Sequence, residues 1–145
     1  MQASRGIEEV LQLLNLGHQL RQDLTRLARE HTGLNLERIT ILHGLAQNNG
    51  EVTVSELALY VFRTTHAAST IVNGMERDGL VFRQREPGFD RRQVLVQITP
   101  LGTAKLQTFL DVWTLPINAI LAHSFDDVLI QRLRQAITIL NEVLR

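Results

Sequence analysis

A mainly α chain with one small β-hairpin, an α+β arrangement, is predicted by three observations on the sequence. Apolar residues recur at helical spacing over long stretches at both ends of the chain, two short capped helices stand side by side in the middle, and two alternating strands flank a turn-rich basic loop. Helix, tight turn, helix and hairpin in that order predict a winged helix-turn-helix, with the hairpin as the wing and long N- and C-terminal helices left to form a dimer.

The N-terminal helix is expected from Ile7 to about His31. Ile7, Val10, Leu11 and Leu14 give one apolar stripe, and Leu13, Leu16, Leu20, Leu24 and Leu27 give a second, so this helix needs two sets of neighbours. Gly33 ends it. The next helix starts with Asn35 as N-cap, Leu34 and Ile39 forming a hydrophobic staple, and stops at Asn49-Gly50. Thr53-Val54-Ser55-Glu56 is a capping box for a short helix through about Val61. After Arg63-Thr64-Thr65 a further helix runs to Asp78 and closes at Gly79, a C′ glycine.

Leu80 to Arg85 and Gln93 to Thr99 read as strands around Glu86-Pro87-Gly88-Phe89-Asp90-Arg91-Arg92. Thr99-Pro100 supplies an N-cap and a first-turn proline for a long helix, which Pro116 breaks near Leu115. Ser124 to Asp127 cap a last helix whose Leu129, Ile130, Leu133, Ala136, Ile137, Leu140 and Leu144 form a wide apolar stripe. Residues 1–33 and 100–145 are therefore expected to make a helical dimerisation region, and 34–99 the winged helix-turn-helix, in one compact chain. A chain of 145 residues has too small a core to bury so much apolar helix alone, which points to a homodimer.

Composition bounds the chemistry. The content, 44% hydrophobic and 21% charged, is that of an ordinary globular domain. Glu8, Glu9 and Gln12 interrupt the first apolar stretch, so neither a signal-peptide core nor a membrane span is expected, and the expected location is cytoplasmic. The absence of cysteine removes disulfides, thiolate metal sites and thiol redox switches. His18, His31, His43 and His123 lack paired ligand spacing, so neither a metal nor a cofactor is expected. No G-x-S-x-G, H-E-x-x-H or phosphate loop occurs, and no enzyme activity is expected.

Net charge is zero, yet it is unevenly spread. Residues 1–62 hold five Arg against seven acidic groups, whereas residues 63–92 hold six Arg against four. The positive excess falls on the second short helix and the hairpin, and all of it is Arg, suited to phosphate and base-edge contacts. On the helix from Thr65, Ala68, Ile71, Val72 and Met75 make the core-facing stripe, while His66, Ser69, Thr70 and Asn73 repeat the same spacing on another face. Short donor-acceptor side chains so spaced fit the base edges of a major groove; the bland alternative is a solvated polar face.

The runs VTVSELA, HAASTIVNGMERDGLVFR and DRRQVLVQITPLGTAK, between Glu51 and Lys105, resemble the MarR/SlyA family of bacterial winged-helix regulators. Met75-Glu76-Arg77-Asp78-Gly79-Leu80-Val81-Phe82-Arg83 is similar to that family's LE-x-x-GLv-x-R element, and Asp90-Arg91-Arg92 with Val94, Val96, Ile98-Thr99 and Gly102 to its wing. The resemblance implies a transcription regulator of double-stranded DNA, most relatives being repressors and many releasing DNA on binding a small organic effector. It implies that Thr65, His66, Ser69, Thr70 and Asn73 face the major groove, that Arg91 and Arg92 contact DNA from the wing with Arg92 in the minor groove, and that Asp90 pairs with an Arg to fix the wing. Thr70 stands where many relatives carry Arg. Leu13, Leu16, Leu20, Leu110 and Trp113 are the candidate walls of an apolar effector crevice. The rival expectation is a winged-helix module for protein contacts without specific DNA binding.

Overall fold

The computed structural model describes residues 2–49, 51–84, 94–114 and 127–145. The elements in chain order are α1 (Gln2–Thr32), α2 (Leu36–Gln47), β1 (Glu51–Thr53), α3 (Val54–Tyr60), α4 (Thr65–Arg77), β2 (Val81–Gln84), β3 (Leu95–Ile98), α5 (Pro100–Thr114) and α6 (Asp127–Val143). Contacts divide the chain into two units, Met1–Phe109 and Leu110–Arg145.

Within the first unit the caps read from the sequence fix the helix boundaries. The Asn35 side chain accepts from Arg38 N–H at 2.9 Å, and Leu34 and Ile39 are both buried as the staple requires. Thr53 and Glu56 exchange both capping-box bonds, at 3.2 and 3.1 Å. Gly33 and Gly79 take φ +73° and +76°, the left-handed conformation of a helix-ending glycine. The Thr32 hydroxyl donates to the Ala28 carbonyl at 2.6 Å and accepts from Leu34 N–H at 3.1 Å, while the Thr32 carbonyl accepts from Lys105 Nζ at 2.9 Å. The C-terminal end of α1 is thereby tied to α5.

The hairpin strands belong to a three-stranded antiparallel sheet of order β1-β3-β2, in which β1 is an element the sequence reading did not anticipate. Val52 lies opposite Val96, and Arg83 lies opposite Val96 on the other side. Side chains alternate along a strand, so Arg83 shares the inward face of Val81. Ile41, Leu42, Leu45, Leu57, Val72, Met75, Leu80, Val81 and Val96 are fully buried and form the core between α2, α3, α4 and the sheet. Each contributes roughly 1.5–3 kcal/mol by leaving water.

Two close approaches set the packing. A Cβ on Gly102 would stand 2.3 Å from the Leu80 carbonyl oxygen, so the first turn of α5 meets the start of β2 only because residue 102 has no side chain. Thr99 caps that turn, accepting from Gly102 N–H at 3.0 Å and donating its hydroxyl to the Gly79 carbonyl at 2.6 Å. In the second unit α6 keeps its apolar stripe exposed, with Ile130, Leu133, Ile137 and Leu140 open to solvent. The breaks expected at Leu115-Pro116 and the cap at Ser124 lie outside the described residues. Among those described, no helix is long and apolar enough to cross a membrane.

Candidate nucleic-acid interface

The turn between α3 and α4 decides how α4 is presented. Val61 caps α3, Phe62 takes φ +53°, and Arg63 N–H donates back to the Ala58 carbonyl at 3.0 Å. The left-handed residue reverses the chain within three positions, and its non-glycine side chain is pushed outward, where it is 89% exposed. Arg63 is held by a two-point pair with Glu37 at the start of α2, at 3.0 and 3.3 Å. Asn48 Nδ2 donates to the Tyr60 hydroxyl at 2.7 Å, and the Tyr60 ring lies over Gly44. The C-terminal end of α3 and the turn that follows it are thus anchored on α2.

Helix α4 then begins at Thr64, whose hydroxyl accepts from Ala67 N–H at 3.1 Å. Ala68, Val72 and Met75 are buried on its inner face, as the spacing requires, and Ile71 is half-buried. On the outer face Thr65, His66, Thr70 and Asn73 are exposed and Ser69 is half-buried. The Thr70 hydroxyl donates to the His66 carbonyl at 3.2 Å. The far end is fixed by Arg38, which donates to Asp78 at 2.6 Å across the α2–α4 junction and passes over Gly74. The Arg38 hydrogen bond and charge hold the Asp78 carboxyl below its usual range, against the opposing effect of burial.

Arg83 is the residue whose role was not read from the sequence. Its guanidinium donates to Asn73 Oδ1 at 2.5 Å and lies within 3.4 Å of Ser69 Oγ, and it pairs with Glu76 at 3.7 Å. Glu76 also accepts the Arg83 backbone N–H at 2.9 Å. Two of the residues expected to meet bases are therefore oriented by β2: the acceptor of Asn73 is taken, which leaves its amide N–H groups free to donate outward. The signal was present in the seven-residue spacing of Glu76 and Arg83, but the partners it joins are known only from the fold.

Asp90, Arg91 and Arg92 lie outside the described residues. Leu13, Leu16 and Leu20 are exposed on α1, and Leu110 and Trp113 are half-buried on α5. Among the described residues no group of His, Asp or Glu is arranged to hold a metal ion.

A tight turn between α3 and α4, a polar outward face on α4 and a sheet whose two outer strands flank β3 define a winged helix-turn-helix. Residues 32–93 match the model of the MarR family. Similar solved structures extend over nearly the whole chain. The regulator BldR from Sulfolobus solfataricus is 27% identical, with a TM-score of 0.64 over 95% of this chain and 96% of that one. MosR of M. tuberculosis, solved in complex with DNA, is 24% identical, with a TM-score of 0.68 over 94% and 97%. The organohalide-sensing regulator RdhR, bound to 2,4-dichlorophenol, is 22% identical, with a TM-score of 0.67 over 94% and 80%. No curated protein matches the chain by sequence.

Proposed function

We propose that the chain is a sequence-specific reader of double-stranded DNA, working as a homodimer on a pseudo-palindromic operator and acting as a ligand-responsive repressor. The observation that carries this reading is the outer face of α4, where exposed hydroxyl, imidazole and amide groups are held on a helix braced at its start, middle and end by Thr64, Arg83 and Arg38. A helix so braced keeps its base-reading groups in register before DNA arrives. MosR, solved with DNA, lends support from a similar fold.

The dimer rests on the terminal helices. Ile7, Val10, Leu11 and Leu14 on α1, with Ile137, Leu140 and Leu144 at the other end, are more exposed apolar surface than a monomer ordinarily leaves in water. In this reading residues 1–33 and 100–145 form the dimerisation region and 34–99 fill one half-site each, with half-sites about 34 Å apart. RdhR, bound to a chlorinated phenol, supports a small organic effector, with Leu13, Leu16, Leu20, Leu110 and Trp113 as the residues to substitute in search of its contacts.

Selection of bound sequences from a random DNA pool tests the reading. A recovered palindrome with two half-sites, together with a dimer by sedimentation, is the expected result. Recovery of no sequence by a folded dimer would replace it with the protein-contact module.

A further inference from the structure

Away from the outer face of α4, the first unit contains a cavity of about 260 Å³ bounded by α1, the start of α2 and the α3–α4 turn. Arg21, Thr25 and Arg29 line one side, spaced four apart on one face of α1. Asn35 and Glu37 contribute the N-terminal turn of α2, where the helix dipole is positive, and Arg63 enters from the turn. Three arginines and one glutamate thus line it.

That carboxylate is already engaged, since Glu37 holds Arg63 by two hydrogen bonds. Arg21 and Arg29 have no ion pair or side-chain hydrogen bond among the described residues. The cavity therefore carries two exposed cations, without a partner among the described residues, beside a positive helix end, an arrangement that favours an anion. Its walls are concave, whereas a backbone phosphate on a DNA cylinder meets protruding groups. It is small and open to solvent, which suits a compact, partly hydrated occupant.

We propose that this cavity binds a small free oxyanion, a multivalent carboxylate or phosphate, through Arg21 and Arg29, and that the bound anion competes with Glu37 for Arg63. A carboxylate or phosphate offers the paired acceptor oxygens that a planar guanidinium fork takes up. Because the Arg63–Glu37 pair ties the helix-turn-helix turn to α2, occupation would loosen the element that aims α4. That coupling rests on the DNA-reading proposal; the anion site itself does not.

The test is calorimetric titration of the full-length protein with citrate and, separately, inorganic phosphate, at matched ionic strength in chloride and without DNA. Saturable uptake of either anion is expected, and the two probes distinguish a carboxylate from a phosphate occupant. R29Q and R21Q should each weaken uptake about tenfold or more, the loss of a charge-assisted hydrogen bond. E37Q should tighten it, because it frees Arg63 and removes the cavity's carboxylate; R145Q, at the chain end, should leave it unchanged. The opposite sign of the E37Q change separates anion binding from mere loss of structure. The proposal is overturned if the folded wild-type protein takes up neither anion saturably, or if R145Q weakens uptake as much as R29Q. It is also overturned if uptake is absent while R21Q and R29Q lower DNA affinity and its salt dependence, since the guanidiniums would then be phosphate contacts to DNA. As uptake is read without DNA, failure of operator recognition leaves the result unaffected.

Discussion

Arg83 on β2 reaches across to Asn73 on α4 and donates to its amide oxygen at 2.5 Å, so a strand residue determines which way a helix residue presents its donors. The pairing follows from the pleat, since Arg83 shares the inward face of Val81, which packs beneath α4. Glu76 closes the arrangement from the same helix.

Arg83→Lys keeps the charge but lacks the planar fork that spans Asn73, Ser69 and Glu76. It should lower stability by only about 1 kcal/mol or less, the pairs being partly exposed. Discrimination between the selected operator and single-mismatch versions should fall more, by part of the roughly 1–3 kcal/mol that one bidentate base contact supplies. Fluorescence anisotropy on the two DNA sets, beside urea unfolding, separates the effects; unchanged discrimination would count against an orienting role for Arg83.

Arg92→Ala removes the wing cation proposed to enter the minor groove. Affinity for the operator should fall, and the salt dependence of log Kd should flatten by about one unit if the contact is to phosphate. Measurement across a series of chloride concentrations checks this, and an unaltered slope and affinity would remove Arg92 from the interface.

Gly102→Ala places a Cβ against the Leu80 carbonyl, a backbone atom that cannot step aside. The first turn of α5 must then move, at a cost of about 1–3 kcal/mol. Urea denaturation reads it as a lower midpoint with an unchanged slope. A midpoint equal to that of the wild type would contradict the packing described.

Asp78 gives the protein an acid-side dependence. Its carboxyl titrates lower in the folded chain than in the unfolded one because Arg38 donates to it. The stabilisation is therefore complete above the unfolded value, about 3.9, and is lost as pH falls through the lower folded value. Asp78→Asn should be less stable than the wild type at neutral pH, and the gap between them should narrow in that acid range. Unfolding midpoints from neutral pH downward test this; a gap that stays constant through the acid range would exclude the pair as its source.

Much of the reader domain is legible locally. Asn35, Thr53 with Glu56, Thr99, Gly33 and Gly79 each mark an element boundary through chemistry confined to four or five residues, and each does so in the structure. β1 escaped because three residues carry no readable period, and it is a strand only through pairing with β3 more than forty positions later. The polar face of α4 was legible as a list of side chains, but not the fact that Arg83 occupies two of them. Arg21, Arg29 and Arg63 lie on separate elements, and only the angle between α1 and α2 brings them to one cavity.

Thr99 joins two elements through a single oxygen, donating to the end of the α4 turn at Gly79 while accepting from the first turn of α5 at Gly102. Its backbone N–H adds a bond to the Leu80 carbonyl at 3.1 Å, against which Gly102 also rests. A tilt of the first turn of α5 would therefore strain the bonds to residues 79–80 unless those residues moved with it, so in the proposed regulator this joint is where a change in α5 would reach the end of α4.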